Sequence, residues 1–148
     1  MAGRATKIIR LLLLVAIGGV FAVAGGMKVI DPAAFATDID HYHLLPWPLI
    51  AGLALYLPWL ECLCAAALLF EKFRASGLRL MLGMSFVFLA AMSSAAARGL
   101  DISCGCFGSG AGGGHLGLAI ARDVGMIAAI AWCLSAEKNA RDAGIPGL

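Results

Sequence analysis

Leu80-Met81-Leu82-Gly83-Met84-Ser85-Phe86-Val87-Phe88-Leu89-Ala90-Ala91-Met92-Ser93-Ser94-Ala95-Ala96-Ala97 carries no charged side chain from end to end. An α-helix rises about 1.5 Å per residue, and roughly 20 apolar residues cross the hydrocarbon core. The stretch therefore reads as a membrane span. Three further windows share its character. The first covers about residues 8–27, with no charge between Arg10 and Lys28, and the second lies within 49–70, where Glu61 is the only charge. The last covers about 116–135. It must start near Leu116, because Asp123 and Glu137 bracket too short a run, and that start carries Arg122 and Asp123 into the membrane.

Composition agrees with this reading. Of 148 residues, 61% are hydrophobic and 14% charged, too apolar for an ordinary soluble domain. The expected fold is all-α: one integral membrane four-helix bundle over residues 1–148, with the spans at about 8–27, 49–70, 80–97 and 116–135. The net charge of +2 comes without a basic, aromatic-bearing stripe, which argues against a nucleic-acid partner.

Lys and Arg are enriched in cytoplasmic segments. Arg4, Lys7 and Arg10 precede the first span; Lys72, Arg74 and Arg79 fill the second connection; Lys138 and Arg141 follow the last span. Both termini are thus expected in the cytoplasm. The segments 31–48 and 98–115 then face the opposite, oxidising side, where Tyr42 and Trp47 suit an interfacial aromatic belt. A competing reading takes the basic head, the apolar run and Ala22-Val23-Ala24 as a cleavable secretory signal. Cleavage would leave three spans, whereas retention gives an even bundle with a consistent charge bias. There is no internal repeat of useful strength.

Between the last two spans stands Ser103-Cys104-Gly105-Cys106-Phe107-Gly108. Disulfide exchange needs an accessible thiol and a second one to resolve the mixed disulfide, and Cys104 with Cys106 could supply both. A bond across one residue closes a small ring, and departures from preferred geometry make a disulfide easier to reduce. A redox pair is the leading reading. Two alternatives stay open: a local clip that merely shapes the turn, and a soft-metal site for copper or zinc in which His115, or His41 or His43, joins the two sulfurs. Arg98 could favour the thiolate or simply anchor the third span.

The remaining cysteines, Cys62, Cys64 and Cys133, lie in apolar runs. Residues two apart on a helix point to nearly opposite faces, so Cys62 and Cys64 do not readily bridge unless Pro58 breaks the helix. They read as small buried side chains. Intramembrane charges mark functional sites when a partner can be named, and Arg122 is the candidate partner for Glu61, for an ion pair between spans two and four or for a proton or quinone role. Gly18, Gly19, Gly25 and Gly26 are expected to allow close helix packing. The glycines of 110–114 lack the Lys-Ser or Lys-Thr of a phosphate loop and read as a flexible connector.

In order along the chain, these landmarks resemble the MauE/DoxX-like family of redox-associated membrane proteins. The resemblance rests on Gly25-Gly26-Met27-Lys28 leading to Pro32 and Phe35, Tyr42 to Pro46, Leu57-Pro58-Trp59-Leu60-Glu61, Arg98 through Gly108, and Arg122-Asp123. It implies a four-helix, multi-pass protein of a bacterial inner membrane, tied to periplasmic thiol chemistry. MauE-type members are associated with maturation of methylamine dehydrogenase and with a thioredoxin-like MauD partner, and DoxX-like relatives with quinone-linked redox processes. DsbB and vitamin K epoxide reductase share only the architecture, and this chain lacks their Cys-x-x-Cys pair. Ser103 stands where MauE-like sequences often carry an acidic residue.

The expected function is that of a membrane thiol-disulfide redox protein, working with a periplasmic thioredoxin-like protein on a disulfide-containing client. Whether it is an enzyme, a thiol-disulfide oxidoreductase linked to a membrane quinone, is left open, since no cofactor motif is present. The alternatives are a soft-metal binding or transfer protein and a non-catalytic membrane scaffold.

Overall fold

A computed structural model describes residues 2–98 and 116–142; among them the chain is helical and contains no strand. Five helices follow in order: α1 (Ala2–Ile30), α2 (Pro32–Asp40), α3 (Trp47–Ala67), α4 (Glu71–Ala97) and α5 (Leu116–Asp142). Four are long and apolar enough to cross a membrane, over Thr6–Ile30, Trp47–Ala67, Glu71–Ala97 and Ala119–Asn139. The chain is a multi-pass membrane protein built as an all-α bundle.

The fifth helix, α2, is short and lies within the segment 31–48 that the sequence leaves without a span. Asp31 caps it by accepting a hydrogen bond from the Ala34 amide at 2.9 Å, and Pro32 supplies a φ suited to the first turn. Nine residues cannot cross a bilayer; α2 instead seats Phe35 and Ala36 against Ile50 and Ala54 in the first half of α3. After α2 the backbone turns through His43, whose φ of 48° is left-handed, and enters α3 behind Pro46.

Leu68–Phe70 alone join α3 to α4, so Lys72, Arg74 and Arg79 occupy the first turns of α4 rather than a loop. The chain turns back this sharply because α3 and α4 touch closely at Gly77. A Cβ there would stand 3.2 Å from the Cys64 carbonyl oxygen and 3.2 Å from Ala67 Cβ. The other tight approach is between α1 and α3 at Gly25, where a Cβ would meet the Pro58 carbonyl oxygen and Cys62 Sγ, each at 2.9 Å. Gly18 makes only ordinary contact with Leu68, at 3.4 Å, while Gly19 and Gly26 face open space. The expectation that all four glycines of α1 serve packing is therefore corrected: Gly25 carries it, because its face alone is turned onto the α3 backbone.

One core gathers from four helices: Leu14, Ile17 and Phe21 of α1, Cys64 and Leu68 around the end of α3, Leu78, Met81 and Met84 of α4, and Ile130 and Cys133 of α5. Arg10 and Glu137 join α1 to α5 beside it, 3.3 Å apart and nearly buried. Helix α3 runs unbroken through Pro58, and Cys62, Cys64 and Cys133 are free thiols. Cys64 and Cys133 are buried, as read from the sequence, whereas Cys62 is half-buried against Gly25.

Candidate functional site

A polar centre sits among side chains that are otherwise hydrocarbon. Lys28, two residues before the end of the first span, is 3% exposed, and its Nζ donates to Glu61 Oε1 at 2.7 Å. The ammonium also lies over two aromatic rings, 4.7 Å from the Phe35 centroid and 4.9 Å from that of Phe88. Three helices besides its own thus hold this one cation: α2 through Phe35, α3 through Glu61 and α4 through Phe88. An unpaired charge in hydrocarbon is costly, and a carboxylate at hydrogen-bond distance with two π faces lowers that cost.

The partner named for Glu61 from the sequence was Arg122; the structure puts Lys28 there instead. Arg122 donates to Asp123 at 3.1 Å, and both pairs line one narrow cleft with Phe21, Ser85 and Met126. The sequence treats Lys28 as the edge of its span, but α2 packs on the first half of α3 and so places Lys28 level with Glu61, deep along α3. Glu61 Oε2 is buried and has no hydrogen-bond partner among the described residues. That oxygen is left for a proton, water or small ligand to meet.

Arg98 follows the last turn of α4 and is exposed. Its guanidinium donates to the Tyr42 carbonyl at 2.6 Å and to the Ser94 carbonyl and hydroxyl, each at 3.1 Å. The end of α4 is thereby fastened to the turn between α2 and α3. Cys104, Cys106 and His115 lie outside the described residues, as does the rest of 99–115. Among the described residues no group of three metal-ligating side chains gathers.

Beside Lys28 the sequence missed Asp38, a buried carboxylate of α2. Burial pushes its carboxyl above the ordinary aspartate range, while His41 and Lys28 pull it back. The signal was present: Phe35, Asp38 and Tyr42 follow one another at spacings of three and four, one face of a helix and its exit. With the segment read as a loop, that face had no meaning.

A family model described as methylamine utilisation protein MauE matches residues 6–136. A relative of that name from Methylophilus methylotrophus is 35% identical over 88 residues, which cover 59% of this chain and 46% of the relative. The match thus spans about half the length of the curated relative. No solved structure matches the chain.

Proposed function

This chain belongs to the MauE family, and from that membership we propose that it is a membrane thiol-disulfide redox protein serving methylamine utilisation. Cys104 and Cys106 form the exchanging pair. The thiolate of Cys104 attacks one sulfur of a disulfide in a thioredoxin-like partner and releases the other as a thiolate, which takes up a proton. Cys106, losing its own proton, then displaces the bound sulfur. Two electrons have passed to the partner and a Cys104–Cys106 disulfide remains; run in reverse, the same steps oxidise the partner.

The observation that carries this reading is the tether at Arg98. The cysteines occur in the stretch between Arg98 and Leu116, and the Arg98 guanidinium grips the Tyr42 carbonyl at 2.6 Å. This bond fixes the described end of α4 against the turn before α3, and Cys104 and Cys106 follow Arg98 by six and eight residues in sequence. The basic residues of 4–10, 72–79 and 138–141 support cytoplasmic termini, with the cysteines on the periplasmic face of the inner membrane.

The test is a trap. With Cys106→Ser, Cys104 keeps its nucleophile but loses the thiol that resolves the adduct, so a mixed disulfide with the thioredoxin-like partner accumulates. No adduct, together with stoichiometric Cu(I) binding by the unaltered chain, would favour metal handling instead.

A further inference from the structure

A groove of about 610 Å³ lies open along the contact of α1 with α3. Small side chains make it: Gly18, Gly19 and Ala22 on α1 face Cys62, Ala65 and Ala66 on α3. A Cβ on Gly19 would meet nothing within 4 Å, so the trench is empty there, while Gly18 rests on Leu68. Leu11, Val15 and Leu69, all exposed, form its rims.

The register of the two helices fixes its ends. Gly25 lies against Pro58 and Cys62, and Gly18 against Leu68, so α1 and α3 run antiparallel and the Leu11 end of the groove meets the end of α3. Arg74 closes that end, its Nε donating to the Leu68 carbonyl at 3.2 Å. From Leu11 to Ala22 the α1 helix rises about 16 Å, half of the roughly 30 Å hydrocarbon core. The groove is therefore one leaflet deep, apolar along its length and basic at its mouth.

Charge selects what enters. Residues 2–10 of α1 hold Arg4, Lys7 and Arg10 and no acid, and the start of α4 holds Lys72 and Arg74 with Glu71. Arg10 is committed to Glu137. Lys7 is exposed and stands one turn before Leu11 on the same face of α1, at the same end as Arg74. A second copy of the chain, inserted in the same sense, would bring its own Lys7, Lys72 and Arg74 to this end and be repelled. An anionic head at the membrane surface is attracted instead.

We propose that the groove is a binding site for one anionic phospholipid of the leaflet in which α1 begins. Its head lies between Lys7 and Arg74, and one acyl chain fills the trench as far as Ala22 and Cys62. The site is independent of the cysteine chemistry proposed above, since lipid binding at equilibrium involves neither Cys104 nor Cys106.

The experiment uses the full chain in phosphatidylcholine nanodiscs carrying a small fraction of phosphatidylglycerol, some of it with a diazirine at the end of one acyl chain. Native mass spectrometry should find one phosphatidylglycerol retained per chain in preference to phosphatidylcholine. Photolysis should attach the chain end near Ala22 or Cys62. Lys7→Gln and Arg74→Gln should each weaken the preference about fivefold, the worth of one basic residue at an anionic membrane surface. Gly19→Leu, whose side chain enters the empty trench, should abolish it while the bundle still forms. Retention of the two lipids in equal measure, cross-links spread evenly to outward residues such as Phe86 and Val124, or an unchanged preference in all three variants would overturn the proposal. So would a stable dimer that Gly19→Leu dissolves, because the groove would then belong to a second copy.

Discussion

Lys28 Nζ lies 2.7 Å from Glu61 Oε1 across the contact of α1 with α3, and the two side chains are 3% and 2% exposed. Each stabilises the other in a setting where neither charge is tolerable alone. Removing one partner of such a pair typically costs about 3 kcal/mol, whereas replacing both can be close to neutral. Lys28→Met and Glu61→Gln should therefore each lower the thermal midpoint of the protein in nanodiscs. The double variant Lys28→Met/Glu61→Leu should lose clearly less than the sum of the two. Strict additivity would show that the pair does not couple α1 to α3.

Glu61→Gln has a second expected consequence. The centre contains Arg122 and Asp123 in the same cleft, so a neutral Glu61 leaves Lys28 as an uncompensated cation beside them. Under the proposed thiol exchange, assembly or turnover should fall, measured as the yield of mature client in cells expressing equal amounts of either chain. Unchanged yield would confine Glu61 to a role in packing.

Gly25 and Gly26 are neighbours in sequence, and the structure predicts opposite responses. Alanine at 25 would set its Cβ 2.9 Å from the Pro58 carbonyl oxygen, a backbone atom that cannot swing aside, whereas alanine at 26 meets nothing within 4 Å. Gly25→Ala should destabilise by about 1–3 kcal/mol, the usual cost of overpacking. It should also raise the reactivity of Cys62 toward maleimide by parting α1 from α3. Gly26→Ala should leave both unchanged or slightly improve stability, since alanine favours helix.

Asp38 gives a pH dependence whose sign follows from its raised carboxyl. The folded state holds the Asp38 proton more tightly than the unfolded chain, so this residue's contribution is fully favourable below the ordinary value of 3.8. It is lost as pH rises through the higher folded value, and it stays lost at neutral pH. The difference in unfolding midpoint between Asp38→Asn and the natural chain should accordingly grow in favour of asparagine from about pH 4 upward. A flat difference would show that Asp38 ionises in the folded chain as it does unfolded.

The Arg98 guanidinium has two candidate roles, and they separate by substitution. If it holds the Tyr42 carbonyl as a positioning group, Arg98→Lys fails nearly as badly as Arg98→Gln, because an ammonium cannot reproduce the fork that also reaches Ser94. The pH profile of thiol alkylation would then stay in place. If its charge tunes the thiols, the lysine variant rescues and the glutamine variant shifts that profile upward. The observed geometry predicts the first outcome.

Much of the bundle was legible because burial in lipid leaves a strong mark: long windows without charge, and glycines where helices meet. Two features escaped for related reasons. A nine-residue helix lying between spans has no length signature, and its Asp31-Pro32 start is also what a turn would carry. Without α2, Lys28 looks like a residue at the edge of the membrane rather than a cation closed in by Phe35 and Glu61. Glu61 itself was found, since a lone charge within an apolar run is conspicuous, but its partner depends on how far α1 slides along α3. That register is set by the contact at Gly25, and periodicity in either helix leaves it open.

The central claim concerns Cys104 and Cys106, and the most direct measurement is complementation by the chain in which both are serine. In cells lacking the natural protein, this double variant should reach normal levels in the membrane yet leave the client, of the methylamine dehydrogenase type, immature and inactive. Full client activity supported by the double serine chain would contradict thiol exchange as its function.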